Sequence, residues 1–262
     1  MHDALQSSAA YLRSGAAFAS IGRDPYWPKW DSPWWHVFAL REAGHPELVP
    51  REILVALVEK SARHYLPFFP RAPEVLPAGK SARTDVMCFC ALGSLLVAAD
   101  GVATIPWADD FIARYQLSDG GWNCDEQSSV SSIVSTVPVL EYLAGRPDLK
   151  PLLERGLTFL RERSLFKSKR TGAVINPHWL LPSLPRFYEY DVLRGLSLFA
   201  RCGQPLPPEA LAAVQPLRLR AWPVSDDARR EHGVVSVFPL CEALARPEHA
   251  RPILEAELAR LR

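Results

Sequence analysis

The chain has 262 residues, of which 48% are hydrophobic, and this is enough to fill a sizeable core. Thirty basic and 29 acidic residues give a formal net charge of +1, which excludes the strong positive field typical of proteins that bind nucleic acids or anionic membranes. The first twenty residues lack a basic start followed by a long apolar run, and no run reaches the roughly 18 apolar residues of a membrane span. We therefore expect a cytoplasmic protein with no transmembrane segment and no nucleic-acid partner.

The five cysteines form an odd set without CxxC spacing, in a chain too large to need disulfides for its stability. This pattern indicates a reducing compartment. The 24 prolines lie between apolar segments, where each one stops a helix before the next begins. The prolines therefore predict many short helices joined by tight connections.

Apolar residues recur at positions i, i+3, i+4 and i+7, whereas alternating runs typical of strands are nearly absent, so the predicted fold class is all-α. In chain order, we predict helices near residues 3–14, 33–44, 50–65, 84–99, 106–116, 130–144, 149–164, 188–202, 207–217, 234–245 and 251–261.

The predicted helices are of two kinds that alternate along the chain. The helix at 149–164 has one apolar stripe and a charged face, which is typical of a helix with solvent on one side. The helices at 84–99 and 188–202 are apolar nearly all round, as helices in contact on most sides are. The presumed inner helices recur about every 45–60 residues, which favours an array of helical pairs.

One segment, residues 108–122, has the sequence ADDFIARYQLSDGGW. Its aromatic–aliphatic pair followed by Gln-x-x-x-Gly-x-Trp resembles the QW repeat of squalene and oxidosqualene cyclases, and residues 155–160 match the first half again. Gln116 can form hydrogen bonds with the unpaired backbone groups at a helix end, and Gly120 permits a sharp turn. Trp122 can cover the connection between two helices. The resemblance implies a single α/α-toroid domain over residues 1–262, with about 11 helices.

The resemblance to this superfamily, which includes the prenyltransferases, implies a function as well. It predicts a terpenoid cyclase-like or prenyltransferase-like protein that binds an isoprenoid or another apolar ligand in a central cavity lined by the first turns of the inner helices. The acidic DxDD motif of hopene-type cyclases is absent. Acid catalysis would therefore depend on another carboxyl group whose pKa is raised in the apolar cavity. The candidate acids are Asp85, Asp125 and Asp191.

Polar and aromatic residues near the predicted helix starts are the candidate ligand contacts: Trp35, His36, Cys124, Tyr188, Tyr190 and Arg194. The spacing of Asp191 and Arg194 suits an ion pair between them or joint binding of an anion. It equally suits a helix N-cap with a separate salt bridge. His36 is either an acid–base group or a structural histidine. The aromatic residues from Tyr26 to Trp35 could shelter a cation, stack on a sugar or seal the ring where its ends meet.

Cys124, Asp125 and His178 form a candidate zinc site, by analogy with the Asp, Cys and His ligands of protein prenyltransferases. The alternative is a partly buried cysteine beside a solvated carboxylate. Cys88 and Cys90 flank Phe89 on a predicted helix, are expected to point in different directions, and are interpreted as packing residues.

Two other functions remain open at this stage. One is a carbohydrate lyase or hydrolase, for which two opposed carboxylates across a polar groove are expected. The other is a non-catalytic interaction module, because none of the known catalytic motifs is present. Five presumed inner helices are one fewer than in a usual toroid, so a protein partner or a second copy would complete the ring.

Overall fold

The structure, a computed structural model, describes residues 1–27, 30–64, 88–125, 128–214, 217–220 and 236–261. Within these ranges the chain forms α-helices and no β-strand, which confirms the all-α class. The helices are α1 (His2–Leu12), α2 (Gly15–Arg23), α3 (Pro33–Glu42), α4 (Arg51–His64), α5 (Phe89–Ala98), α6 (Ala108–Arg114), α7 (Ile133–Leu143), α8 (Lys150–Arg161), α9 (Val192–Arg201), α10 (Pro208–Val214), α11 (Phe238–Ala245) and α12 (Pro247–Ala259).

Each of the eleven predicted helices overlaps a helix of the structure, and within the described ranges α2 is the helix that the prediction missed. The side chain of Ser14 accepts a hydrogen bond from the N–H of Ala17 and so caps a new helix where the predicted helix was still ending. The small residues of α2, mainly glycine, alanine and serine, give only a weak apolar period.

The first helix lies beside the second-to-last helix of the described chain. Helix α1 packs against α2, α3 and α11, while α12 packs against α9 and α11. The largest helix–helix contact joins α5 to α7. None of the helices in the described ranges combines the length and apolar character needed to cross a bilayer.

The turn after α6 confirms the roles predicted for its glutamine, glycine and tryptophan. Gln116 Nε2 donates hydrogen bonds to the carbonyls of Gly120 (2.7 Å) and Leu152 (2.9 Å), which ties this turn to α8. Trp122 is fully buried, and its Nε1 donates to the carbonyl of Ile112 at 2.8 Å. Gly120 has a φ of 100°, a conformation that residues with a Cβ rarely adopt.

The close contact between α5 and α7 depends on Gly93. A Cβ at this position would lie 2.5 Å from the backbone carbonyl carbon of Pro138, whereas a Cβ at Gly22 in α2 would meet nothing within 4 Å. We expect Gly93→Ala to lower the free energy of unfolding by about 1–3 kcal/mol, because the two helices must move apart. The matched change Gly22→Ala should raise it by about 0.5–1 kcal/mol, because alanine favours a helix. Urea unfolding of both variants measures these changes in the free energy of unfolding. Changes of the same sign in the two variants would contradict the close contact of α5 and α7 at Gly93.

Candidate functional site

A charged cavity of about 780 Å³ lies beside the last turns of α3 and α7, with α9 and α12 also lining it. Five arginines and three glutamates are among its lining residues in the described chain, so positive charge is in excess. They are Arg41, Glu42, Glu141, Arg186, Arg194, Arg201, Glu257 and Arg260.

Two of these arginines are bound to carboxylates. Arg194 forms a two-bond pair with Glu141, in which both nitrogen–oxygen distances are 2.7 Å. Arg186 contacts Glu257 at 3.0 Å and Asp191 at 3.2 Å. These paired charges form the wall of the cavity and hold α7, α9 and α12 to the chain segment that precedes α9.

Glu42 holds the backbone of that same segment. Its carboxylate accepts the backbone N–H groups of Arg186 and Phe187, the second at 2.6 Å. Burial raises the pKa of Glu42 above its ordinary value, although these N–H groups and the charges of Arg186 and Arg194 oppose the rise. Glu42 is thus a carboxyl group that lines the cavity and whose burial opposes its ionisation.

Arg41 differs from the paired arginines. It is half-buried and lines the cavity, and its guanidinium donates to the carbonyl of Ala98 at 3.4 Å. Burial lowers the pKa of Arg41. Within the described residues no carboxylate lies within ion-pair distance of it, nor of Arg201 and Arg260. The cavity therefore offers positive charge that is not held in ion pairs by the described part of the chain.

The prediction that the first turns of the inner helices line the cavity is wrong for α3. At that end, Trp34 and Trp35 pack with Tyr26, Phe187 and Tyr188 around a space of only about 10 Å³. Large aromatic rings fill the space there, whereas charged side chains line an open cavity at the other end of the helix. As far as the described chain extends, this aromatic end has room for about one water molecule but not for an isoprenoid chain or a sugar ring.

Trp30 connects the aromatic end to other parts of the fold. Its ring lies 4.4 Å from that of Trp35, 5.4 Å from that of Phe187 and 6.5 Å from that of Phe238 in α11. Trp30 and Phe187 both have positive φ values, 70° and 52°, which are uncommon for aromatic residues and are held in place by this packing. This arrangement favours the sealing role among the three roles considered for the aromatic residues.

The predicted site residues near the start of α9 do not share one cavity. Asp191 caps α9 by accepting the N–H of Arg194 at 2.9 Å, and both residues form ion pairs with other partners, as the N-cap interpretation predicts. Arg194 lines the charged cavity and Tyr188 lines the aromatic space. Tyr190 is buried elsewhere, with its hydroxyl donating to the carbonyl of Leu165 at 2.9 Å.

The predicted zinc ligands Cys124, Asp125 and His178 do not form a cluster of ligand atoms in the described structure. Asp125 and His178 are exposed, and Asp85 lies outside the described residues. Instead, Cys124 lies with Cys88 and Cys90, and their sulfur atoms are all within 4.8 Å of one another.

The expectation that Cys88 and Cys90 point in different directions is also wrong, because their sulfur atoms are 2.9 Å apart. Cys88 is the N-cap of α5 and has an extended backbone (φ −76°, ψ 160°) rather than a helical one. In a helix, the side chains of residues i and i+2 point in different directions. This does not hold for Cys88 and Cys90, because Cys88 lies outside the helix.

His36 is buried and both of its ring nitrogens have partners. Nδ1 lies 3.0 Å from the hydroxyl of Ser8 in α1, and Nε2 lies 2.8 Å from that of Ser236, just before α11. The Ser236 hydroxyl donates to Asp31 at 2.6 Å, which assigns the imidazole proton to Nε2. His36 thus links the first and last parts of the fold, and this geometry favours its structural interpretation.

Burial lowers the pKa of His36 to about 4, so acid should weaken the fold. The unfolded chain takes up a proton near pH 6.5, while the folded chain resists protonation until about pH 4. The free energy of unfolding should therefore fall by about 3 kcal/mol between pH 7 and pH 4 through this group alone. Urea unfolding of His36→Gln over the same range should show a correspondingly smaller loss. Equal losses in the two proteins would contradict the assignment.

Comparison of the chain with protein-family models, curated proteins and solved structures finds no match in any of the three. The cavity and the thiol cluster are therefore interpreted from their own chemistry.

Proposed function

We propose that the protein binds a small amphiphilic anion, an isoprenoid or similar apolar chain bearing a phosphate or carboxylate, in the charged cavity. The observation that carries this proposal is Arg41, a half-buried cation that lines the cavity and that no carboxylate of the described chain neutralises. Removing a charge from water is costly unless a counter-charge is present, and a bound anion would supply one.

The size and the walls of the cavity suit such a ligand. A volume of about 780 Å³ lies within the range of small-molecule sites, which is roughly 300–1,000 Å³. The charged groups share the lining with apolar side chains that could contact a hydrocarbon chain: Phe38, Val97, Leu184, Leu198, Ile253 and Leu261. The apolar part of the ligand matches the isoprenoid that the resemblance implies, and the anionic head matches the arginines.

The α/α toroid is part of the same proposal. It is supported by the contact of α1 with α11, which brings the early and late parts of the described chain together, and by the packing of α12 against α9 and α11. In that arrangement the cavity lies at the end of the ring where α3 and α7 finish.

The test is a comparison of two arginine variants in a titration with geranyl phosphate. Arg41 donates to the carbonyl of Ala98 at the end of α5, and Arg51 donates to the carbonyl of Val102 just beyond it, but only Arg41 is among the lining residues. Arg41→Gln should weaken binding about tenfold, because one charge-assisted contact is lost. Arg51→Gln should bind like the unchanged protein. Equal affinities of the two variants would contradict the proposal.

A second candidate function, acid catalysis on the bound ligand, is favoured by the raised pKa of Glu42. A raised pKa increases the protonated fraction of a carboxyl group, the form that can donate a proton to a bound substrate. Conversion of geranyl phosphate, followed by gas chromatography with mass detection, should fall at least about 100-fold in Glu42→Gln. Conversion that is absent from the unchanged protein, or retained in this variant, would contradict this function.

A further inference from the structure

The three clustered thiols come from two parts of the chain that are rigidly held together. Cys88 and Cys90 begin α5, and Cys124 follows the turn that contains Trp122. The backbone N–H of Cys124 donates to the hydroxyl of Ser135 in α7 at 3.1 Å, and α7 packs closely on α5. The cluster is therefore fixed by the same helix contact that requires Gly93.

The distances between the sulfur atoms suit a bound metal ion. Zinc bound tetrahedrally by thiolates has zinc–sulfur distances of about 2.3 Å, which place neighbouring sulfur atoms about 3.8 Å apart. The separation of Cys90 and Cys124 is 3.7 Å, close to this value. The sulfur atoms of Cys88 and Cys90 are closer, at 2.9 Å, so Cys88 would withdraw by about an ångström on binding.

We propose that Cys88, Cys90 and Cys124 bind a thiophilic divalent cation of the zinc type, with a water molecule as the fourth ligand. As the ion binds, each thiol that coordinates it loses its proton to the solvent. Cys90 also borders the aromatic space of about 10 Å³, which has room for about one water molecule beside the cluster. Three protein ligands with one exchangeable position define an open site rather than a closed structural one.

The surroundings favour a negatively charged cluster. The Ser135 hydroxyl donates to the sulfur of Cys124 at 3.2 Å, and the N-terminus of α5 carries the positive end of its helix dipole. Hydrogen bonds that Cys124 shares with Cys88 and Cys90, and then the bond from Ser135, hold the pKa of Cys124 well below its ordinary value.

This site is separate from the charged cavity. Phe38, Ser94 and Phe187 border both the cavity and the aromatic space next to Cys90, so one layer of side chains lies between them. The cation site does not depend on the proposed anionic ligand.

Cobalt titration of the reduced full chain, freed of metal with a chelator, tests the site. One equivalent of Co²⁺ should produce a thiolate-to-cobalt charge-transfer band in the near ultraviolet, and zinc should remove it by displacement. Cys88→Ser is the variant of choice, because serine is a favoured N-cap and should preserve α5. It should lower the affinity at least about 100-fold, since even residues outside the ligand set change metal affinity about 10–100-fold. Cys202→Ser, outside the cluster, is the matched control.

Ser135→Ala adds a finer test, with an expected loss of about tenfold in cobalt affinity. Absence of the band in the unchanged protein would overturn the proposal. Retention of the band in both Cys88→Ser and Cys124→Ser, with circular dichroism showing folded proteins, would overturn it as well.

Discussion

Replacing Arg194 with methionine is expected to lower the free energy of unfolding by about 3–5 kcal/mol, because it leaves Glu141, whose side chain is only 16% exposed, without its ion-pair partner. In the folded protein, burial would raise the pKa of Glu141, but Arg194, with smaller contributions from Arg201 and Arg186, outweighs this effect and the pKa is lowered. Without Arg194 the largest part of that compensation is lost while the burial remains. Urea unfolding at pH 7 measures the loss.

The matched control is Arg201→Met, on the same helix. Arg201 is exposed and donates to the backbone carbonyl of Glu141, rather than to its carboxylate, at 3.0 Å. Its replacement should cost no more than about 1 kcal/mol. The double variant Arg194→Met with Glu141→Leu should recover part of the stability, because no unpaired buried charge is left. Equal losses for Arg194→Met and Arg201→Met would mean that the pair does not stabilise the fold.

Replacing Trp122 with alanine is expected to lower the free energy of unfolding by about 3–5 kcal/mol. Its ring is fully buried between the turn after α6 and the neighbouring helices, and its Nε1 bonds the carbonyl of Ile112 at the same time. The substitution opens a cavity and leaves that carbonyl without its donor.

Two further variants separate these contributions. Trp122→Phe keeps most of the ring volume and loses the hydrogen bond, so its cost should be clearly smaller. Trp27 is 43% exposed, and Trp27→Ala should cost less than about 1 kcal/mol. If Trp122→Ala were as mild as Trp27→Ala, the proposed role of Trp122 as the cover of this joint would be untenable.

The sequence was sufficient for features whose partners lie close along the chain. Gln116 and Trp122 bond carbonyls within the same turn and helix, in addition to the carbonyl of Leu152. Such local geometry follows from residue type and spacing, and so does the all-α class, because apolar periodicity is a local property.

The charged cavity could not be predicted in this way, because its pairs join distant parts of the chain. Glu141 and Arg194 are 53 residues apart, and Glu42 and the backbone of Arg186 are 144 residues apart. One signal was nevertheless present: Glu141 is the single charged residue of the otherwise apolar helix α7. A lone charge on a helix that is buried on most sides calls for a partner or a ligand.

The thiol cluster was missed for a different reason. The prediction placed Cys88 and Cys90 within one continuous helix, and in a helix two residues at i and i+2 point in different directions. The structure begins α5 at Phe89, so Cys88 has an extended backbone and its side chain turns towards Cys90. Exact helix starts are the least certain part of such a prediction, and here a shift of a few residues changed the chemistry.

The most direct test of the anion-binding cavity is calorimetric titration of the full chain with geranyl phosphate and with geraniol, which share one hydrocarbon chain and differ in the head group. Our account predicts that the phosphate binds at least about tenfold more tightly, a difference of about 1.4 kcal/mol. Equal or tighter binding of geraniol would contradict it, because the arginines would then play no part in recognition. Failure of both ligands to bind would also contradict it and would favour an interaction module instead.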